Sequence, residues 1–255
     1  MQFGGILLAT AIMWAYVLPG ESVTGGKEAV GHSRPYMASV QLNGKHECGA
    51  FLIASQWLLS ATHCFMDGAE GLKIVVGLHS LSGEETTKET FQISADRLYK
   101  HPGFNIENYD NDISLIKLDR PIVESAAVKP VSYQQTGGAD PVVGANVETS
   151  GWGALNNLGS RPDKLHELTI SVMSRDLCGR SDYYGSKFTN NMICAARRRQ
   201  DTCNGDSGGP LLYNGVAIGI TSNGGKKCGS SRKPGLYILI SHFSDWIQQT
   251  MTANA

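Results

Sequence analysis

The chain has no Cys-x-x-Cys pair, no Asn-x-Ser/Thr acceptor, no low-complexity linker and no repeat of solenoid period. Zinc ribbons and fingers need closely spaced cysteines, so a structural metal site is not expected. N-glycosylation and a stacked-repeat array are excluded in the same way. Charge is scarce as well: 22 Lys and Arg face 23 Asp and Glu, a net charge of −1. No global field would then recruit nucleic acid or an anionic bilayer, and no cofactor signature is present. Long apolar runs are missing after the first twenty residues. Met1 to Gly20 carries no charged side chain, is apolar from Ile6 to Leu18 and closes on Pro19-Gly20. This reads as a secretory signal peptide over residues 1–20. A membrane anchor is the competing reading, since about 20 uncharged residues span a bilayer, but no basic residue flanks the stretch. Six cysteines behind an export signal imply disulfides in an oxidising compartment, with fifteen pairings open.

Short runs with alternating or continuous apolar character punctuate the rest: Ala38–Leu42, Ala50–Ala54, Lys73–Leu78, Phe91–Leu98, Asp112–Leu118, Val142–Thr149, Leu165–Met173, Gly209–Tyr213, Val216–Thr221 and Gly235–Ile240. Separated by glycine-rich turns, they predict an all-β sandwich or barrel. Phe243, Trp246 and Ile247 share one face of a helix at the C-terminus, with Ser241 as its expected cap. Removing 22 residues leaves 233, enough to bury roughly 70 to 75% of the unfolded surface.

The most informative segment is Asp206-Ser207-Gly208-Gly209-Pro210, preceded by Gly205 and, further back, by Asp201. Serine between glycines is usually an ordinary turn. The same arrangement also exposes a hydroxyl and leaves backbone N–H groups free to meet a developing oxyanion. His63, in Ala61-Thr62-His63-Cys64, and Asp112, in Asn111-Asp112-Ile113-Ser114, are each unremarkable alone: a strand-end histidine and a strand-end acid. Their order, His63 then Asp112 then Ser207, each in its own local context, resembles the chymotrypsin-like serine peptidases from Val23 to the C-terminus.

That resemblance implies two antiparallel six-stranded Greek-key barrels with a C-terminal helix, at about 23–125 and 126–240, joined near Arg120–Tyr133. Ser207 would be the nucleophile, His63 the base and then acid, and Asp112 the orienter of His63. Gly205 and Ser207 would supply the oxyanion N–H groups. The implied bridges are Cys48–Cys64, Cys178–Cys194 and Cys203–Cys228. A fourth bridge common in relatives is replaced by Val147 and Tyr213. Glu21-Ser22 would be an activation dipeptide removed by a dipeptidyl peptidase, freeing the Val23 amine to pair with Asp206. Asp201 would lie at the base of the specificity pocket, with Gly224 and Gly235 on its walls and Ser222 also assigned to substrate specificity. A buried carboxylate favours a cationic guest, hence cleavage of protein substrates after Arg or Lys. The bland alternative makes Asp201 a solvated acid answering Arg197-Arg198-Arg199. Leu78-His79-Ser80 lacks the acid that opens the trypsin calcium loop, so calcium is not expected. Asn223 stands where digestive relatives place tryptophan, which argues against broad digestive turnover.

His32-Ser33-Arg34-Pro35-Tyr36 and Gly77-Leu78-His79-Ser80 resemble granzymes A and K; Arg161-Pro162-Asp163 and Cys228-Gly229-Ser230-Ser231-Arg232-Lys233-Pro234 also resemble complement factor D. The expectation is a secreted or granule-stored, granzyme-like immune effector controlled by serine protease inhibitors. The alternatives are a factor D-like selective activator latched at rest, with Lys226 or Lys227 competing for Asp201, and a non-catalytic homologue. No membrane association is expected after signal cleavage.

Overall fold

A computed structural model describes residues 24–198 and 200–255; the expected signal peptide, Glu21-Ser22 and Val23 lie outside them. Two antiparallel sheets carry the chain. In the first, Met37–Leu42, Lys45–Ala54, Trp57–Ser60 and Leu72–Val76 are joined by Ser114–Lys117 and by one interrupted strand, Glu89–Gln92 and Leu98–Lys100. The two pieces of that strand pair at opposite ends, Glu89–Gln92 with Leu72–Val76 and Leu98–Lys100 with Ser114–Lys117, so the bent segment closes a six-stranded barrel. The expected continuous strand from Phe91 to Leu98 breaks at the 3-10 turn Ala95–Arg97, where the chain turns the barrel corner.

The second sheet closes directly. Asn146–Gly151 pairs with both His166–Val172 and Pro210–Tyr213, and Met192–Ala196, Gly235–Leu239 and Val216–Asn223 complete the ring. Lys27–Glu28 adds a two-residue strand outside it. In each barrel the six strands, numbered by chain position, run around the ring in the order 1-2-3-6-5-4. Both barrels therefore share one Greek-key plan, which closure uses to remove exposed edges.

Each barrel has its own apolar filling: Val40, Leu52, Leu58, Ile74, Phe91 and Ile116 in the first, and Val147, Ile170, Leu211, Ile218, Tyr237 and Leu239 in the second. A larger third cluster, with Phe51, Leu59, Leu115, Trp152, Ile220 and Ile238, lies between them and locks one barrel to the other. Val147 is fully buried beside Tyr213, so apolar packing occupies the place of the missing bridge. Disulfides join Cys48 to Cys64, Cys178 to Cys194 and Cys203 to Cys228.

The terminal helix runs Ser244–Ala253. Ser241 does not cap it, because the chain makes a 3-10 turn at Ile240–His242 and enters the helix through Phe243. Phe243 and Ile247 are buried, and His101 packs edge-on against Phe243 and Trp246 at 5.1 and 5.0 Å. Val142 and Val143 are exposed ahead of the strand that was expected to begin at Val142.

Candidate active site

His63 stands on the short 3-10 turn Thr62–Phe65 that follows strand Trp57–Ser60. The Cys48–Cys64 bridge ties this turn to the neighbouring strand. Thr62 Oγ1 donates to Ile113 O at 2.7 Å and lies 2.9 Å from Ser114 Oγ, which fixes the turn beside Asp112. Asp112 is fully buried. Its Oδ1 accepts the His63 backbone N–H at 2.9 Å and its Oδ2 lies 2.7 Å from His63 Nδ1. A carboxylate there selects the tautomer with hydrogen on Nδ1 and leaves Nε2 free to accept a proton. Ser222 Oγ donates to the same Oδ2 at 2.6 Å. Ser222, expected among the specificity residues, thus directs its hydroxyl to Asp112, a contact its sequence context did not signal.

Ser207 and His63 line one cleft with Tyr109, Thr202, Cys203, Asn204, Asn223 and Gly224. The serine loop is held from several sides. Gly208 has φ +83°, and a Cβ there would overlap Gly49 O and Ser60 Oγ; only glycine fits. Asn204 O accepts from Ala154 N at 2.8 Å, and Asp206 O accepts from Gly209 N at 3.0 Å. Because a trans peptide points its N–H opposite its carbonyl, these bonds fix the N–H directions of Gly205 and Ser207. Among the described residues neither of those two N–H groups donates a hydrogen bond, whereas Asp206, Gly208 and Gly209 all do. The two free donors sit next to the candidate nucleophile.

Asp206 is buried and accepts from Gly153 N at 2.9 Å and Cys203 N at 2.8 Å. Burial pushes its carboxyl up to about 6. Gly151 and Gly153 form its cradle, since a Cβ on either would overlap the carboxylate. His46, absent from the sequence expectations, completes the surroundings. Its Nε2 lies 2.9 Å from Gly205 O and its Nδ1 2.8 Å from Ser39 Oγ, and Trp152 packs 5.6 Å away. Burial pushes the imidazole down to about 4, so it stays neutral. Strand alternation places His46 inward, the one signal that could have found it.

Asp201 is 1% exposed. Its Oδ2 accepts from Gly229 N at 3.1 Å, and its Oδ1 has no hydrogen-bond partner among the described residues. Burial pushes the carboxyl up to about 7. Gly235 abuts it, because a Cβ there would approach Asp201 Oδ1, Tyr237 OH and Thr202 Oγ1. The bland expectation of a solvated acid answering the arginines fails on this burial. Gly224 faces open space. Lys226 and Lys227 are exposed and form no ion pair with Asp201, so the lysine competition considered under the factor D-like alternative is not made. Thr24 O accepts from Asp201 N at 3.2 Å, and Gln200 Nε2 donates to Gly25 O. The segment just after Val23 is therefore anchored against Gln200 and Asp201. Cys48, Cys64 and His63 bring three potential metal donors together, but both sulfurs are consumed in the bridge.

The Trypsin family model matches residues 23–247. Rat granzyme M is 36% identical over 250 residues, covering 96% of each chain. Human serine protease 57 is 36% identical over 251 residues, covering 95% of this chain and 87% of that protein, and pig glandular kallikrein is 32% identical over 248. The structure of mouse neuropsin, described as a serine protease expressed in the limbic system, superposes with a TM-score of 0.80 at 34% identity, over 89% of this chain and 98% of that one. With two closed barrels and a histidine, an aspartate and a serine gathered at one cleft between them, the chain belongs to the trypsin family of chymotrypsin-like serine proteases.

Proposed function

We propose that this chain is a secreted serine endopeptidase that cleaves proteins after Arg or Lys. Ser207 attacks the scissile carbonyl and His63 Nε2 takes its proton, while Asp112 holds the imidazole and stabilises the imidazolium. The tetrahedral oxyanion accepts from the Gly205 and Ser207 N–H groups, whose directions are set before substrate arrives. His63 then protonates the leaving amine, and water hydrolyses the acyl-enzyme by the reverse sequence. The observation that supports the specificity is Asp201, a buried carboxylate with one oxygen unpartnered among the described residues. A guanidinium or ammonium from the substrate satisfies that oxygen and restores the ionised form.

The domain plan is a signal peptide over 1–20, an activation dipeptide over 21–22 and a peptidase domain over 23–255. A peptidase that removes the dipeptide frees the Val23 amine for Asp206; the anchoring of Thr24 and Gly25 beside Gln200 and Asp201 supports this route. Granule or extracellular release, control by serine protease inhibitors and a granzyme A/K-like immune role accompany this reading. A second reading, a factor D-like selective activator at rest, is favoured by one observation. Thr202 and Cys203 line the cleft, whereas Asp201 does not and is held by Gly229 N–H.

The test is cleavage of a peptide library by protein beginning at Val23. The expected product set carries Arg or Lys immediately before the cut, and Asp201→Ser erases that preference. Products dominated by Phe, Leu or Ala would overturn the specificity.

A further inference from the structure

Among the described residues, six cations lie on two segments, Arg197-Arg198 and the loop 226–233, and the second of these leaves the cleft lining at Gly225 and Cys228. Arg197 and Arg198 belong to a tight turn closed by reciprocal bonds between Arg197 and Gln200. Lys226 and Lys227 lie between Gly225 and Cys228, both of which line the cleft. Arg232 and Lys233 end the same loop. The two segments leave adjacent strands, whose pairing ends with Ala195 opposite Gly235. The loop is a built feature, since Asn157 accepts from Cys228 N at 2.8 Å and donates to Cys228 O at 3.2 Å.

Among the described residues these charges have no carboxylate partner. Between Arg197 and Lys233 the only acids are Asp201 and Asp206, both buried. Among the described residues none of the six cations forms an ion pair; Lys233 instead lies over the Tyr184 ring at 4.9 Å, and nearby Asp182 is paired with Arg180 at 3.0 Å. All except Lys233 are exposed. In a chain with net charge −1 this is a local concentration, not a reflection of overall basicity.

We infer that this rim selects substrates carrying an acidic segment close to the basic residue at which they are cut. The inference rests on the proposed Arg/Lys cleavage and names the substrate class for it. A substrate chain, and not a separate polyanion, is the favoured occupant because the rim is continuous with the cleft lining. An extended peptide advances roughly 3.3 Å per residue, so a flanking segment of about five residues runs roughly 16 Å from the cut, toward the Lys226-Lys227 loop that borders the cleft at Gly225 and Cys228. Each exposed pair contributes little alone. Several acting on one flexible segment raise affinity about tenfold, most strongly at low salt.

The experiment uses Ser207→Ala protein beginning at Val23 and three fluorescein-labelled peptides that share one central Arg, flanked by Asp and Glu, by Ser and Gln, or by Lys. Fluorescence anisotropy should give the acidic peptide about tenfold tighter binding than the neutral one, a gap that closes in high salt. Replacing Arg198, Lys226, Lys227 and Arg232 together with Ser should equalise the two. Lys226→Glu with Lys227→Glu should shift preference toward the Lys-flanked peptide, a gain that misfolding cannot imitate. Equal affinities for all three peptides in the Ser207→Ala protein overturn the inference. So does tight binding of a sulfated oligosaccharide without any preference among the peptides. Parallel turnover by the Ser207 protein separates the two levels. Cleavage of all three peptides without bias sinks the rim alone, whereas acid-selective binding with no cleavage of any peptide sinks the proposed chemistry alone.

Discussion

Replacing Asp201 with Asn keeps the side chain's shape and removes only its charge, so it isolates the cost of holding that charge in an empty pocket. The carboxylate is 1% exposed, accepts a backbone hydrogen bond from Gly229 and, among the described residues, leaves Oδ1 unpartnered. Burial raises its pKa from 3.8 to about 7. A folded-state pKa above the unfolded value means that the folded protein holds the proton more tightly. This contribution to stability is fully present below pH 4 and is lost as pH rises to 7. A shift of roughly 3 units at about 1.36 kcal/mol each gives a loss of about 4 kcal/mol by pH 8. Asn does not titrate, so the stability of Asp201→Asn relative to the parent should climb by that order between pH 4 and pH 8. Urea unfolding, followed by tryptophan fluorescence in a Ser207→Ala background that prevents self-digestion, reads the difference directly. A gap between the two proteins that stays constant across this range would show that water or a counter-charge already satisfies the carboxylate, and the argument for a cationic guest would lose its physical basis.

Asp112→Asn should lower turnover by about four orders of magnitude while leaving substrate affinity largely intact, because it supports the wrong imidazole tautomer; steady-state kinetics on an Arg amide checks this. Removing the Ser222 hydroxyl, which donates to Asp112 at 2.6 Å, should cost about tenfold in kcat with little change in KM, since one charge-assisted hydrogen bond is worth roughly 1.5 kcal/mol. Gly208→Ala combines a Cβ overlap on Gly49 O and Ser60 Oγ with an unfavourable φ of +83°; it should destabilise by about 3 kcal/mol or more and abolish activity, as chemical denaturation and a peptide assay would show. Protein beginning at Glu21 should be nearly inactive and protein beginning at Val23 active, with Asp206→Asn returning the latter to the inactive level. Equal activity from the two starts would rule out the Val23–Asp206 pairing.

Local sequence carried the candidate triad because its parts are short-range. A serine in a glycine turn, a histidine after an apolar strand and an acid ahead of an alternating strand are each written within a few residues, and their chain order supplied the rest. Most strands were legible for the same reason, since period-two alternation is a local property. What was not legible depended on partners distant along the chain. Trp57–Ser60 and Met192–Ala196 pair as strands only because neighbours flank them, and the corner at Ala95–Arg97 follows from closing a ring.

Tertiary structure alone decided the electrostatics and the backbone aim. Nothing near Ser222 in sequence points to Asp112, which lies 110 positions earlier. Nothing near His46 points to Gly205 O, 159 positions later. Desolvation depends on everything that surrounds a group. Asp201 reads in sequence as an acid beside three arginines, and only the folded protein buries the acid while leaving Arg197 and Arg198 in water. Sequence determined which chemical groups the protein owns, because composition and local order are fixed by the chain. The fold decided which of them are dry, which face one another and which are left without a partner, because those properties come from packing two barrels together.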